Sequence, residues 1–167
     1  MASYQAPLRE IHFALKDVLE IDRMSQQIPA FAEANADFLG ALVDEAAKLI
    51  EEEIAPLNAS GDAQGCVWNQ GEVTVPDGFA QAYKLFSESG WMSLCNATDY
   101  EGQGLPFTLS KVVEEMLCSA NVAFALYPGL TTSCFEALHA KASQQIKQTY
   151  LPKLSTGEWT GTMCITE

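Results

Sequence analysis

Five cysteines, two histidines, two short glutamate runs and one glycine–glutamine–glycine step are the residues of this chain whose types invite a chemical reading. Cys66, Cys95, Cys118, Cys134 and Cys164 are widely spaced, with no CxxC pair, and His12 and His139 stand far apart. A metal site needs clustered ligands at characteristic spacing, so no metal is expected. The thiols read as buried and reduced, as in a cytosolic protein, and each histidine as a packed or surface residue. Gly102-Gln103-Gly104 invites comparison with a phosphate loop, but neither a Lys-Ser/Thr pair nor a GxGxxG pattern follows. A tight turn ahead of Pro106 accounts for it. Glu51, Glu52 and Glu53 read as the solvated end of a helix, and Glu114 and Glu115 as surface positions, one of which has the option of facing a neighbouring domain.

Those residues must be positioned by a folded frame, and composition provides for one. Hydrophobic residues make up 48% of the 167 positions and charged residues 19%, enough to bury a core in one domain with room for the start of a second. The formal net charge of −13, from 22 acidic and 9 basic residues, lacks the basic footprint of a nucleic-acid binder. The opening MASYQAPLREIHF has neither the basic nor the continuous apolar region of a signal peptide, and no apolar run approaches the ~18 residues that cross a bilayer. A cytoplasmic protein without a membrane span is expected.

Helical periodicity dominates, and about six helices are expected. Pro7 suits a first helical position, with Leu8, Ile11, Leu15, Val18 and Leu19 as an inward face. Residues 25–36 read as a loop. Phe38, Leu39, Leu42, Val43, Ala46, Leu49 and Ile50 form the clearest apolar face, with Asp44 and Lys48 as an exposed i,i+4 pair. Residues 57–76 are rich in turn formers, with Val73-Thr-Val75 as a short extended piece. Helix returns with Phe79, Ala82, Tyr83 and Phe86 inward and Gly90 as its stop. After a second loop over 91–106, one helix from about Thr108 buries Val112, Val113, Met116 and Leu117. Another spans about 121–141 and is apolar or small on nearly every side, the mark of a central helix; Pro128-Gly129 is expected to kink or divide it. The last begins at Ser143 as N-cap, buries Ile146, Tyr150 and Leu151, and closes at Gly157. Beyond it, Trp159, Met163 and Ile165 alternate with Thr160, Thr162, Cys164 and Thr166. Period two marks a strand, and one strand in a helical chain calls for a missing partner.

Three stretches, in order, resemble the acyl-CoA dehydrogenase family. Gly90-Trp91 followed by Tyr100-Glu-Gly-Gln-Gly-Leu-Pro106 is similar to a family signature in which Glu101 replaces a usual glycine. Gln145 with Tyr150-Leu151-Pro152, Leu154 and Gly157-Glu158 resembles the helix and turn that lead into the family's middle domain. Met163-Cys-Ile-Thr-Glu167 resembles the start of its flavin signature. Tyr4-Gln-Ala-Pro-Leu-Arg9 and the segment from Gly61-Asp62 through Gly65-Cys66 to Pro76 and Gly78-Phe79 resemble the longer members, which include enzymes for long-chain and methylmercaptopropionyl-CoA substrates.

The resemblance implies an all-α N-terminal helical domain over 1–157, with 158–167 as the first strand of a truncated middle β domain. It implies an FAD-dependent parent that takes a proton from C2 and a hydride from C3 of an acyl-CoA, an electron-transfer partner, and a possible homo-oligomer. The catalytic glutamate of the family lies in a C-terminal domain outside these 167 residues, so no catalytic residue is assigned and the chain alone is expected to be inactive. Most phosphate contacts of coenzyme A are expected elsewhere too, since Lys and Arg are sparse. Met163, Cys164, Ile165 and Thr166 are the implied flavin contacts; plain edge-strand alternation is the structural alternative. Leu126, Gly129, Leu130 and Ser133 are the implied acyl-tunnel residues, and core packing at helical spacing is the alternative there. A stand-alone helical interaction module and an acyl-CoA oxidase or nitroalkane oxidase relative stay open as other readings.

Overall fold

The computed structural model describes residues 4–164. Seven α-helices and one hairpin run in the order α1 (Leu8–Phe13), α2 (Ile21–Gln27), α3 (Ala36–Leu49), α4 (Leu57–Gln64), β1 (Val67–Asn69), β2 (Glu72–Thr74), α5 (Phe79–Glu88), α6 (Phe107–Lys141) and α7 (Gln144–Thr156). Wide π turns over Ala14–Val18 and Ile50–Ile54 prolong α1 and α3. Among the described residues, no helix is long and apolar enough to cross a membrane.

Local chemistry starts the helices that matter most. The Asn35 side chain accepts from the Phe38 N–H at 2.9 Å, and the Ser143 hydroxyl accepts from the Ile146 N–H at 3.4 Å, each satisfying a donor that a helix N-terminus leaves orphaned. Packing then takes over. Leu39, Val43, Ala46, Ala47, Ile50 and Ile54 form a sealed stripe on α3 and its π extension, in one core with Val113, Met116, Leu117, Ala120 and Phe124 of α6. Ile11 and Leu15 close this core on one side and Phe86 on another, with the Phe86 ring edge-on to Phe124 at 5.9 Å between centroids. A smaller cluster of Tyr100, Phe135, Leu151 and Leu154 joins the far half of α6 to α7.

The scaffold is α6, and its backbone leaves helical geometry at Asn121, with φ −159° and ψ 89°. Asn121 is buried and works in both directions. Its Nδ2 donates to the Ile54 carbonyl at 3.3 Å and its Oδ1 accepts the Phe124 N–H at 3.1 Å. The side chain thus caps the second half of the helix while tying it to α3's extension. A break near 121 was foreseeable; the division expected at Pro128-Gly129 falls instead about two turns earlier, at Asn121, and the backbone keeps helical geometry through Pro128. Pro128 packs its ring, buried, within the second half.

Several other expectations need correction. Helix α4 forms where loop was expected, and α2 runs through Gln27, three residues into the expected 25–36 loop. For α4, tertiary contact overrides weak propensity: Gly61 lies so close to Phe79 that a Cβ there would stand 2.5 Å from its ring. The extended piece at Val73 is one strand of a hairpin, Trp68 paired with Val73, turning through Gln70 and Gly71 at φ 49° and 94°. Val18 and Leu19 are exposed, since the helix loosens into a π turn and ends at Glu20 in left-handed geometry. Ile146 and Tyr150 are also exposed, and Tyr150 meets the Trp159 ring edge-on at 5.6 Å. Asp44 pairs with His12 at 2.7 Å rather than with Lys48, and Glu51, expected to be solvated, accepts the Ala6 N–H at 2.7 Å. Residues 158–164 show no strand pairing; alternation alone does not make a strand where no neighbouring strand supplies the hydrogen bonds.

Candidate substrate cleft and flavin-contact segment

The loop between α5 and α6 is built on itself. The backbone N–H groups of Gly102, Gln103, Gly104 and Leu105 donate to the carbonyls of Ala97, Ser93, Asn96 and Leu94 at 2.9–3.1 Å. Gln103 Nε2 reaches back to the Gly90 carbonyl at 2.7 Å and the Ser93 hydroxyl at 3.1 Å. With these donors committed inward, the glycine step is a tight turn rather than a phosphate cradle. Glu101 adopts φ 61°, a left-handed conformation that glycine takes without cost and other L-residues resist. That is the physical sense of the glycine it replaces in the signature.

This loop holds Trp91, Met92 and Leu94 against α6 and so makes one wall of a cleft of about 330 Å³. The apolar lining includes Phe86, Phe107, Val113, Leu117, Ala125 and Pro128. Polar residues complete the lining, interleaved along α6 with the apolar ones: Ser110, Lys111, Glu114, Thr132, Ser133 and Glu136. Both halves of α6 contribute, on either side of the break at Asn121. Gly129 opens into this space, with nothing within 4 Å of where a Cβ would stand. Lys111 is ion-paired with Glu114 and lies 4.8 Å over the Phe107 ring. Burial, reinforced by the charge of Glu136, pushes the Cys95 thiol above the ordinary range.

Of the four tunnel residues read from the sequence, Gly129 and Ser133 line the cleft. Leu126 is 62% exposed and Leu130 half-buried, with the Leu130 carbonyl beside Gly161. Each directly follows a lining residue, Ala125 or Gly129, and one residue turns a helix by about 100°. Along the second half of α6 the lining stripe is Ala125, Gly129, Thr132 and Glu136, with Ser133 beside it. Trp91, from the loop before α6, and Phe107 and Ser110, from the first half of α6, complete the lining without having been read from the sequence.

On the opposite flank of α6, Val122, Ala123 and Tyr127 face the hairpin and α4 across an open groove with Val75, Pro76 and Phe79. The chain leaving α7 is tied down before it reaches Met163. Lys153 donates to Glu158 at 2.7 Å and sits 4.5 Å over the Trp159 ring, while the Gly161 N–H donates to the Thr131 hydroxyl at 3.1 Å. Met163 and Cys164 are exposed. Ile165 and Thr166 lie outside the described residues.

The family described as "Acyl-CoA dehydrogenase, N-terminal domain" matches residues 39–158, from the apolar face of α3 to the end of the α7 turn. The chain belongs to the acyl-CoA dehydrogenase family. A 3-methylmercaptopropionyl-CoA dehydrogenase of Ruegeria pomeroyi is 36% identical over 165 residues, 99% of this chain and 28% of the relative. A butyryl-CoA dehydrogenase of Syntrophomonas wolfei is 28% identical over 99% of this chain and 27% of its own length. The chain thus spans less than a third of either acyl-CoA dehydrogenase. A solved structure described as "Electron transferring flavoprotein of Acidaminococcus fermentans: Towards a mechanism of flavin-based electron bifurcation" superposes with a TM-score of 0.57 at 20% identity, over 71% of this chain and 29% of that one. That likeness speaks to the fold alone. The all-α architecture of the acyl-CoA dehydrogenase N-terminal domain, expected from the motifs, is the architecture found.

Proposed function

We propose that this chain is the N-terminal helical domain of an FAD-dependent acyl-CoA dehydrogenase, and that the cleft between α5, the 91–94 loop and α6 is its share of the acyl-binding wall. The observation that carries the reading is the cleft itself: about 330 Å³, apolar in part, with unfilled volume over Gly129. Burying each methylene of an acyl chain contributes about 0.8 kcal/mol, so such a wall adds directly to binding. The dehydrogenation takes a proton from C2 by a carboxylate base and a hydride from C3. No residue of this chain is assigned the base.

FAD, when bound, supplies the hydride acceptor. The fit of this chain to that group rests on residues 162–164. The Gly161–Thr131 bond fixes their origin on α6, Met163 and Cys164 stand exposed, and among the described residues no hydrogen bond occupies their peptide groups. Such a segment suits one edge of a flat heteroaromatic ring and supplies one side of a pocket only. In this reading Met163, Cys164, Ile165 and Thr166 hold the flavin edge, Gly129 and Ser133 face the acyl chain, and Leu126 and Leu130 face a neighbouring domain. An electron-transfer partner and a homo-oligomeric state belong to the same reading.

The test is a chimera in which this chain replaces the matching 28% of the Ruegeria relative. It should hold FAD and reduce a dye when given an acyl-CoA, whereas the 167-residue chain alone should retain no flavin. A chimera that folds and binds FAD but is reduced by no acyl-CoA of any chain length refutes the proposal.

A further inference from the structure

The cleft lining is polar in part, beyond what an unfunctionalised alkyl chain requires, and the polarity along the second half of α6 has a sign. Ser133 and Thr132 donate their hydroxyl protons to the helix carbonyls of Gly129 and Pro128, at 3.0 and 3.1 Å. What they turn toward the cleft is therefore lone pairs, so both act there as acceptors. The Glu136 carboxylate also lines the cleft, and among the described residues it has neither a hydrogen bond nor an ion pair. Lys111 is the only cation in the lining, and it is held between Glu114 and the face of Phe107. Ser133, Thr132 and Glu136 thus offer acceptors and one unpaired negative charge, and the lining's cation is already engaged.

We infer that Glu136, with Ser133 and Thr132, selects acyl groups that carry a hydrogen-bond donor near their free end, a hydroxyl or an ammonium, and disfavours those ending in a carboxylate. The inference rests on the acyl-binding reading of the cleft and adds to it the class of acyl group. A neutral alkyl chain would leave the carboxylate without a partner, and an anionic one would set two like charges against each other with no cation to separate them. Glu136 is exposed in this chain, so screening holds the discrimination to a modest size.

The experiment measures kcat/KM of the flavin-loaded enzyme carrying this chain, with three acyl-CoAs of equal length ending in methyl, ammonium and carboxylate. The unsubstituted enzyme should favour the ammonium over the carboxylate tail, and Glu136→Gln should lower that ratio by about tenfold. Using a ratio within one preparation removes any effect of a smaller folded fraction. Glu136→Asp should keep the order of preference. A ratio unchanged in Glu136→Gln, with the methyl-ended substrate still turned over, overturns this inference and leaves the acyl-binding reading standing. Failure of every acyl-CoA to reduce the loaded enzyme overturns both.

Discussion

Adding a single methyl group at Gly102 tests whether the glycine step is architecture. A Cβ there would lie far inside contact distance of the Asn96 carbonyl and 2.7 Å from the Ala97 oxygen. Both obstacles are backbone, so no rotamer change relieves them. The loop must move, and it is held by the Gly102–Ala97, Gln103–Ser93 and Gly104–Asn96 hydrogen bonds at 3.0–3.1 Å. Overpacking costs about 1–3 kcal/mol, and releasing two of those bonds costs roughly 1 kcal/mol each, more where the Asn96 carbonyl stays buried. Gly102→Ala should therefore destabilise by about 3–5 kcal/mol. At this chain length that is on the order of 10 °C in melting temperature, read by far-ultraviolet circular dichroism with urea unfolding as a second measure. The internal control is Gly129→Ala. There a Cβ meets open space, and replacing a mid-helix glycine stabilises by up to about 1 kcal/mol. The argument fails if Gly102→Ala melts within about 2 °C of the parent, or if the two substitutions shift stability in the same direction.

Further outcomes follow from individual contacts. Glu101→Gly should raise stability by about 1 kcal/mol by relieving a left-handed non-glycine residue, seen as an upward shift in the urea midpoint. Asn121→Ala removes both the bond to the Ile54 carbonyl and the cap on Phe124 and should cost roughly 2 kcal/mol in the same unfolding assay. Iodoacetamide with mass-spectrometric readout should label exposed Cys66 and Cys118 first and Cys95 last. The Cys95 thiol is pushed upward by burial, so its thiolate fraction lies below that of an ordinary thiol at any given pH, and its labelling should accelerate only at more alkaline pH. In the flavin-loaded enzyme, Gly129→Leu should fill the cleft and lower kcat/KM for long acyl-CoAs by more than tenfold while sparing short ones.

The elements whose burial pattern is periodic were legible without coordinates. The Leu39–Val43–Ala46–Ile50 stripe sits at helical spacing, and only a helix places it on one face. The break near residue 121 and the cap at Ser143 also carried local signals. The three signature stretches identified the family because their order and spacing survive in one dimension. What one dimension withheld was whatever depends on a second element. Helix α4 reads as loop until Phe79 packs against Gly61. Val18, Leu19, Ile146 and Tyr150 are apolar at helical spacing, yet they stand exposed among the described residues. Along α6 the pattern is apolar on almost every side, so it cannot say which register faces the cleft. Trp91, Phe107 and Ser110, arriving from other parts of the chain, decide in favour of Ala125, Gly129, Thr132 and Glu136. The sequence by itself determined the strongly periodic and capped helices and the family they belong to, since periodicity, capping and motif order are local. Only the tertiary structure decided which side of α6 is a wall and what charge that wall carries, because a helix face acquires meaning from what is packed against it.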